Sequence, residues 1–412
     1  MASDSAPRLR RRDFLALFAA ALMPLPWMIA HRFGGMGLSQ EWVAIFAGFA
    51  ILGGAFLLTW ATELAERDIP QALAILVLAL VSVLPEYAID LHFAWTAGKD
   101  IEYAQYAVAN MTGANRLLVG IGWAVVVLIA CARSGQRELA IHPRQRLEIR
   151  FLLWATLYSF VIPLTGTINL FDAAVLFVIF MLYAYSAAHS ESERVTLVGP
   201  PALIDQQFTA RGRRSWVIVL FVYAAYGIFV AAQPFADGLV EIGRASDTVD
   251  EFLLVQWVAP LASESPEFLI AILFAMRLRG SLGIGALISS KVNQWTLLVG
   301  AIPIAFSLSS GSWSGLPLDE RQAEELLLTS AQSLMAAVLI IDLRFSRVQA
   351  LGLAALFLGQ FAFTSTEVRY FYTGLYLLIA LGLLVSRGGE RGRMVAALIF
   401  SSPFPPRSGS AD

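Results

Sequence analysis

The sequence is poor in the residues that hold disulfides and most protein-bound metals. It has one cysteine, Cys131, and four scattered histidines in 412 residues. A single cysteine excludes an intramolecular disulfide and any site built from several cysteines, and the histidines lack the spacing of metal ligands. No glycine-rich phosphate loop accompanies an α/β pattern, and nothing in the sequence supports binding to nucleic acid.

Charged residues are scarce as well. They make up 15% of the chain, against 58% apolar residues, with a mean hydropathy of +0.67, whereas a soluble domain has about 25% charged residues. Apolar runs of about 20 residues are long enough to cross a bilayer. We therefore predict an all-α polytopic membrane protein with twelve transmembrane helices, at about 14–30, 42–64, 70–97, 103–131, 148–164, 168–189, 215–242, 249–277, 281–309, 325–343, 347–366 and 369–386.

The basic residues support this count. With the N-terminus placed inside, 22 of the 29 Lys and Arg residues fall in inside segments, five fall in outside loops and two lie within spans. Such an asymmetry is the positive-inside pattern, and a miscounted span would scramble it. Both termini are therefore predicted to be cytoplasmic.

One motif occurs twice at membrane depth. Residues 82–86 read Ser-Val-Leu-Pro-Glu, and residues 263–267, which follow 181 positions later, read Ser-Glu-Ser-Pro-Glu. A proline and a glutamate are both costly inside a membrane. Their recurrence at matching positions indicates a site shared by two repeats.

Each motif is followed by an apolar segment with amide side chains, at residues 109–115 and 289–295. Residues 116–120 match residues 296–300 at an offset of 180, which predicts the loss of one residue in the second half. Five spans per unit force the second unit to insert upside down relative to the first, the design known as an inverted repeat. The predicted divisions are an N-terminus with an extra first helix (1–41), the first repeat (42–189), a cytoplasmic linker (190–214), the second repeat (215–366), and an extra last helix with a tail disordered from about Arg387 (367–412).

The repeated residues are suited to binding a hard cation. A proline inside a helix displaces the carbonyl four residues earlier, so Pro85 would free the carbonyl of Val81 on the helix face shared by Ser82 and Glu86. Carboxylates, hydroxyls and carbonyls together form the all-oxygen ligand set that Ca²⁺ and Na⁺ prefer. The alternative is a pair of kinked helices with structural carboxylates. The remaining candidate ligands are Ser263, Glu267, Asn110, Asn115, Ser290 and Asn293, of which the amides could instead join neighbouring helices.

Four further charges lie in the same segments and would tune the site. Asp90 and Glu264 add carboxylates, whereas Arg116 and Lys291 add positive charge. Our hypothesis is that the two cations neutralise two of the four carboxylates, with Glu264 the expected partner of Lys291. Lys291 could also occupy the position of a coupling ion as a tethered ammonium, or exchange protons if burial lowers its pKa. The alternatives for Arg116 are a snorkelling side chain or a structural ion pair.

These motifs resemble those of the sodium/calcium exchanger family within the cation/Ca²⁺ antiporter superfamily. Each repeat of that family pairs a Gly-Thr-Ser-Leu-Pro-Glu helix with a Gly-Asn-x-x-Gly-Ser-Asn helix. Residues 81–86 keep the Leu, Pro and Glu of the first pattern and have Ser in place of its Thr. Residues 109–115 match the second pattern at both asparagines and one glycine. Residues 262–267 keep the Pro and Glu of the first pattern and have Ser in place of its Thr. Residues 289–295 match the second pattern mainly by position. The resemblance covers residues 42–366.

The resemblance implies an antiporter that moves Ca²⁺ or another cation against Na⁺ or H⁺ by alternating access, in a bacterial inner or plasma membrane. Glu86 and Glu267 would be the central metal ligands, and no cofactor is implied. The second repeat lacks both family glycines by this pairing and gains Lys291, which is compatible with H⁺-driven or Na⁺-independent exchange. The alternative is a non-transporting or sensory scaffold with the exchanger fold. An enzyme is disfavoured because no hairpin holds a matched metal set or a Ser-Lys pair. The partners implied are inorganic cations and the lipid bilayer; the oligomeric state is not indicated.

Overall fold

The computed structural model describes residues 11–65, 67–68, 83–189, 197–246, 250–362 and 365–401, and these residues are mostly α-helical. The α-helices are Arg11–Leu22, Leu25–Arg32, Gln40–Ala65, Leu84–Ala97, Ala104–Leu117, Ala124–Ser134, Arg146–Ser159, Ile162–Thr165, Leu170–Ala188, Pro200–Gln207, Ala210–Arg244, Glu251–Met276, Gly280–Asn293, Val299–Ser310, Glu320–Leu339, Arg347–Ala362 and Thr366–Phe400. Two π-helical segments, Leu118–Trp123 and Gln294–Leu298, connect helices without a break. The 3₁₀ turns are Gly34–Gly37, Ile101–Tyr103 and Pro143–Gln145. Two short antiparallel pairs, Glu138–Ala140 with Arg344–Ser346 and Thr167–Ile168 with Leu316–Pro317, close loops.

Within the described ranges, nine helical stretches are long and apolar enough to cross a membrane. They correspond to nine of the twelve predicted spans. Of the other three, the span at 70–97 lies partly outside the described residues, and the span at 347–366 is the shorter apolar helix Arg347–Phe361. The span at 325–343 coincides with the helix Glu320–Leu339, which carries four charged residues in its first six positions. The full count of twelve stays a prediction.

The last helix is longer than the sequence indicated. Thr366–Phe400 is one helix of 35 residues, so residues 387–400 of the expected disordered tail are helical. Arg391 on this extension donates to Asp342, with Nη2 2.6 Å from the carboxylate oxygen. This ion pair gives the extension a fixed partner, which the composition of the tail did not reveal.

The fold comprises two compact units, each of which draws residues from both halves of the sequence. The first contains the described parts of Met1–Ile89, Glu191–Glu251 and Ala262–Pro266. Its main packing joins the helices Gln40–Ala65 and Ala210–Arg244. Glycines let these helices approach closely, as small residues do in membrane proteins; a Cβ on Gly54 would lie 2.7 Å from the Ile228 side chain.

A cluster of charges ties the loop after Gln40–Ala65 to the start of Ala210–Arg244 in the same unit. Arg213 donates to Asp68 at 2.8 Å and to Asp205 at 2.9 Å. Arg67 also pairs with Asp205, and Arg214 lies 3.3 Å from Asp68. Because three arginines share two carboxylates, the cluster retains a net positive charge.

The second unit contains the described parts of Asp90–Ser190, Phe252–Leu261 and Glu267–Asp412. Ala104–Leu117 packs in it against Glu320–Leu339, which in turn packs against Thr366–Phe400. Gly113 marks a close approach, since a Cβ there would lie 1.8 Å from the Gln256 carbonyl oxygen. Only glycine therefore fits at position 113 of the amide segment.

Candidate cation site

The two Pro-Glu motifs accommodate their prolines differently in the described residues. Pro266 lies inside the continuous helix Glu251–Met276, as predicted. Pro85 is the second residue of Leu84–Ala97, a position where the missing N–H removes no helical hydrogen bond. Ser82 lies outside the described residues, and its predicted place beside Glu86 stays a prediction.

The carboxylates of these motifs are withdrawn from the surface. Glu86 and Glu264 are each 2% exposed and Asp90 is fully buried, while Glu267 is partly buried. Ser263 is buried too. Burying an ionised carboxylate is unfavourable unless cations or hydrogen-bond donors compensate the charge. In each unit, buried carboxylates of this kind are typical of residues that take up a cation or protons.

Asp90 and Asn110 form the first polar pair of the second unit. The Asn110 amide donates from Nδ2 to Asp90 Oδ1 at 2.8 Å. This bond fixes the amide so that its oxygen, Oδ1, is left for another partner. Asp90 Oδ2 and Asn110 Oδ1 are both buried with no hydrogen-bond donor among the described residues. Two acceptor oxygens held side by side in this way suit a cation ligand set.

Glu267 and Ser290 form a second polar pair in the same unit. The Ser290 hydroxyl donates to the Glu267 carboxylate and accepts from Gln294 Nε2 at 3.4 Å. Glu267 Oε2 and Asn293 Oδ1 are buried with no donor in the described ranges. The helix of the second Pro-Glu motif thus faces the amide segment that follows it, as the repeat pattern predicted.

The first amide helix (Ala104–Leu117) and the second amide helix (Gly280–Asn293) correspond closely. The second helix begins 176 positions after the first helix begins, and it ends 176 positions after the first helix ends. Each helix runs directly into a π-helical segment, a feature often found at functional sites. The predicted offset of 180 is therefore wrong. Five residues have been lost rather than one, because the second Pro-Glu helix ends two residues earlier and its following loop is three residues shorter.

This corrected pairing places Lys291 at the position that Asn115 has in the first amide helix. The two side chains bond to each other: Lys291 Nζ lies 2.7 Å from Asn115 Oδ1 and 3.4 Å from the Asn115 carbonyl oxygen. The Asn115 amide is oriented by its own bond from Nδ2 to the Met111 carbonyl at 2.8 Å. The ammonium also lies 4.4 Å from the centre of the Trp295 ring, a favourable cation–π distance.

Lys291 is fully buried, and its amine lies against the candidate ligand Asn115. Oxygen atoms and an aromatic face surround an ammonium much as they surround a bound alkali cation. The predicted bond from Lys291 to Glu264 stays a prediction. Asn115, predicted as a cation ligand, binds this ammonium instead.

Arg116 does not serve the site as predicted. Its guanidinium pairs with Glu325 on Glu320–Leu339, with Nη2 2.5 Å from Oε2, and both side chains are buried. It also lies 5.1 Å from the centre of the Trp257 ring. Of the two alternatives given for Arg116, a snorkelling side chain and a structural ion pair, the ion pair is the one observed. Glu325 neutralises the Arg116 charge.

The sequence prediction missed the network to which Glu325 belongs. Arg369 on Thr366–Phe400 binds Glu324 at 2.7 Å and lies 3.9 Å from Glu325. Gln332 donates to the Arg116 carbonyl at 3.3 Å. Two arginines and two glutamates thus balance one another in a buried cluster. The adjacent glutamates in a membrane-length helix were a signal that could have indicated it.

The chain is similar to proteins of known family and structure. The family model described as sodium/calcium exchanger protein matches residues 41–188 and 216–366. The crystal structure of the H⁺/Ca²⁺ exchanger CAX is 44% identical, with a TM-score of 0.88 over 94% of this chain and 99% of that chain. No curated protein matches the chain.

More distant structures share the fold. The sodium-calcium exchanger NCX_Mj soaked with Na⁺ and Sr²⁺ is 18% identical, with a TM-score of 0.53 over 79% of this chain and 99% of that one. The structure of native YfkE is 12% identical, with a TM-score of 0.58 over 89% of this chain and 100% of that one. At these identities, the likeness concerns the fold alone.

Proposed function

Because the chain belongs to the sodium/calcium exchanger protein family, we propose that it is a membrane antiporter that exchanges Ca²⁺ for H⁺ by alternating access. The observation that carries the choice of H⁺ over Na⁺ is the buried Lys291 ammonium bonded to Asn115. A fixed positive charge takes the place of one coupling cation and repels another. The 44% identity to an H⁺/Ca²⁺ exchanger supports the same choice.

The proposed exchange rests on buried carboxylates that accept either Ca²⁺ or protons. Glu86 and Glu267 would bind Ca²⁺ directly, with Ser82 and Ser263 lining the ion path. Asp90 and Asn110 keep acceptor oxygens without donors in the described structure and would add ligands. Ca²⁺ requires six to eight oxygens, whereas a proton requires one. Competition between the two for the same carboxylates is the physical basis of coupled, opposite movement.

Asn293 and Ser290 complete the proposed ligand set on the second amide helix. Asn293 Oδ1 is a buried acceptor without a donor in the described ranges, and Ser290 already holds Glu267. Ser290 would therefore keep the carboxylate aimed at the ion. Glu264 would offset the charge of Lys291.

The finer topology belongs to the same proposal. We propose twelve spans, two inverted five-helix repeats at 42–189 and 215–366, and both termini in the cytoplasm of a bacterial cell. The equal length of the two amide helices and their matching π segments support the repeats. Cys131 is the single cysteine, so a Cys131→Ser background allows single cysteines to be placed in each loop. Labelling of residues near 99 or 313 by an impermeant reagent only from the cytoplasmic side would contradict this topology.

Transport is tested in proteoliposomes loaded with radioactive Ca²⁺. An imposed pH gradient should drive Ca²⁺ movement against its own gradient, and a Na⁺ gradient of the same size should drive little or none. A protein that binds Ca²⁺ but moves none under either gradient would be a scaffold, as the alternative has it. Strong coupling to Na⁺ with no response to pH would contradict the choice of H⁺.

A further inference from the structure

A group of polar side chains beside the second amide helix plays no part in the site described above. Tyr183, on Leu170–Ala188, has its hydroxyl 2.9 Å from the Ser289 hydroxyl. The Tyr183 ring also packs against Phe151, with ring centres 5.7 Å apart. Phe151 lies one turn after Glu148 on Arg146–Ser159, so both face the same way. Glu148 lies within electrostatic range of the Tyr183 hydroxyl.

Gln145 approaches the same face of the second amide helix. A Cβ on Gly285 would lie 2.4 Å from Gln145 Nε2, so the amide rests directly on the backbone of the helix. Ser289 lies one turn after Gly285 and shares its face. Gln145 and Glu148 are likewise three residues apart along the 3₁₀ turn and the helix that continues it. The face that carries Gln145 and Glu148 is therefore turned toward the face that carries Gly285 and Ser289.

Two oxygens in this group could still accept a hydrogen bond or bind a cation. Glu148 Oε2 and Gln145 Oε1 are buried with no hydrogen-bond partner in the part of the chain that the structure describes. A buried acceptor without a donor is unfavourable, and a buried carboxylate without one is more so. A cation bound between them satisfies both oxygens at once, whereas a proton on Glu148 does so only if the carboxyl donates it to Gln145 Oε1.

Arg144 is the charged side chain that acts on Glu148 and on Tyr183. It lies on the exposed loop at the start of the same turn, where water screens its charge. It therefore opposes a cation only weakly. The next residue after Ser289 is Ser290, which holds Glu267, so this group adjoins the candidate site through one helix.

We infer that Gln145, Glu148, Tyr183 and Ser289 form a second, weaker site for the transported divalent cation, next to the main site on the second amide helix. The inference rests on the proposed function, because the cation is that of the proposed exchange. One carboxylate, one amide oxygen and two hydroxyls are ligands that Ca²⁺ accepts, with water completing its shell. A single carboxylate makes such a site weak, and weak binding lets an ion leave again.

The test is Tb³⁺ and Ca²⁺ binding to the purified full chain in nanodiscs. Tb³⁺ next to Tyr183 should give tyrosine-sensitised emission, which Ca²⁺ should displace. Tyr183→Phe removes the hydroxyl but keeps the packing ring, and should reduce that emission at least fivefold. Glu148→Gln should weaken the lower-affinity class of Ca²⁺ sites at least tenfold and leave the higher-affinity class unchanged. Arg144→Gln removes a nearby positive charge and should raise the Ca²⁺ affinity of the lower-affinity class two- to fivefold. A loss of structure would lower that affinity instead.

Glu138→Gln serves as the control, because Glu138 is an exposed carboxylate in the same loop. Unchanged binding in both Glu148→Gln and Tyr183→Phe would overturn the inference. The inference would also be overturned if Glu148→Gln changed the pH dependence of exchange and left Tb³⁺ and Ca²⁺ binding unchanged. Glu148 would then bind a proton rather than a metal ion. Glu267→Gln should remove the higher-affinity class and leave the Tyr183 emission intact. If Glu267→Gln has no effect, the proposed function fails while the second site stands.

Discussion

Lys291 and Asn115 occupy equivalent positions in the two amide helices and bond to each other, with Nζ 2.7 Å from Oδ1. An asparagine pair at these positions would offer two amide oxygens to a mobile cation. Replacing one asparagine with lysine supplies a cation that cannot leave. At this position the two amide helices thus differ by a basic side chain.

Lys291→Ala should therefore create a dependence on Na⁺. Removal of the ammonium leaves Asn115 Oδ1 beside a space of suitable size for a small cation, because the helices hold the amide in place. We expect Na⁺ to stimulate Ca²⁺ flux about tenfold in this variant, which corresponds to about 1.4 kcal/mol in the activation free energy of transport. Flux in proteoliposomes is measured with and without Na⁺ in both proteins, and Lys99→Ala, an exposed lysine, is the control. Equal responses to Na⁺ in both proteins would make Lys291 a packing residue.

Glu86→Gln and Glu267→Gln should each abolish exchange while the protein still folds. Loss of one carboxylate from a buried divalent-cation site costs about 3–5 kcal/mol of cation binding, the amount by which breaking a buried charge pair destabilises. Ca²⁺ flux and elution as a monodisperse species are measured together. Glu41→Gln changes an exposed glutamate and should leave exchange unchanged. Full exchange in either of the first two variants would refute the assignment.

Arg116 and Glu325 should behave as a buried ion pair. Arg116→Met alone or Glu325→Met alone leaves a buried charge uncompensated and should lower the free energy of unfolding by about 3–5 kcal/mol. The double variant removes both charges and should recover most of this loss. Denaturant unfolding in detergent gives the coupling energy through a double-mutant cycle. Additive losses would show that the 2.5 Å contact contributes no coupling.

Gly113→Ala should be destabilising although alanine favours helices by about 1 kcal/mol over glycine. Its Cβ would lie 1.8 Å from the Gln256 carbonyl oxygen, so the two helices must separate. We expect a lower unfolding temperature and weaker exchange. Gly382→Ala is the matched control, because a Cβ there meets nothing within 4 Å, and it should be neutral or slightly stabilising. Equal unfolding temperatures in the two variants would argue against the close approach.

Asp68 gives a pH-dependent contribution to stability. Its hydrogen bond from Arg213, helped by the charges of Arg213 and Arg214, holds the pKa of this carboxyl below its usual value. The stabilisation is therefore present above the unfolded pKa of about 3.9 and is lost as pH falls through the folded pKa. Asp68→Asn should lower the unfolding free energy by up to about 1 kcal/mol at neutral pH, because the pair is near the surface. The difference between the two proteins should vanish at acidic pH; a difference that grows there would contradict the ion pair.

The membrane class and the family follow from the sequence because they rest on local properties. Apolar runs have the length of a bilayer whatever their neighbours are, and the recurring Pro-Glu pair can be recognised from the sequence wherever the helices pack. The same local pattern singled out Asp90, Glu267, Lys291 and the amides, and within the second unit the structure joins Asp90 to Asn110 and Glu267 to Ser290.

The identity of each partner was decided by the tertiary structure alone. The rotation and tilt of a helix determine which face meets which neighbour, and packing sets both. Arg116 therefore binds Glu325 rather than a Pro-Glu carboxylate, and Tyr183 bonds to Ser289, which is far from it in sequence. The offset of 176 between the amide helices depends on where the second Pro-Glu helix ends and how short its loop is, which residue matching could not show. Sequence determined which costly residues the membrane must hold, and helix packing determined which of them compensate one another.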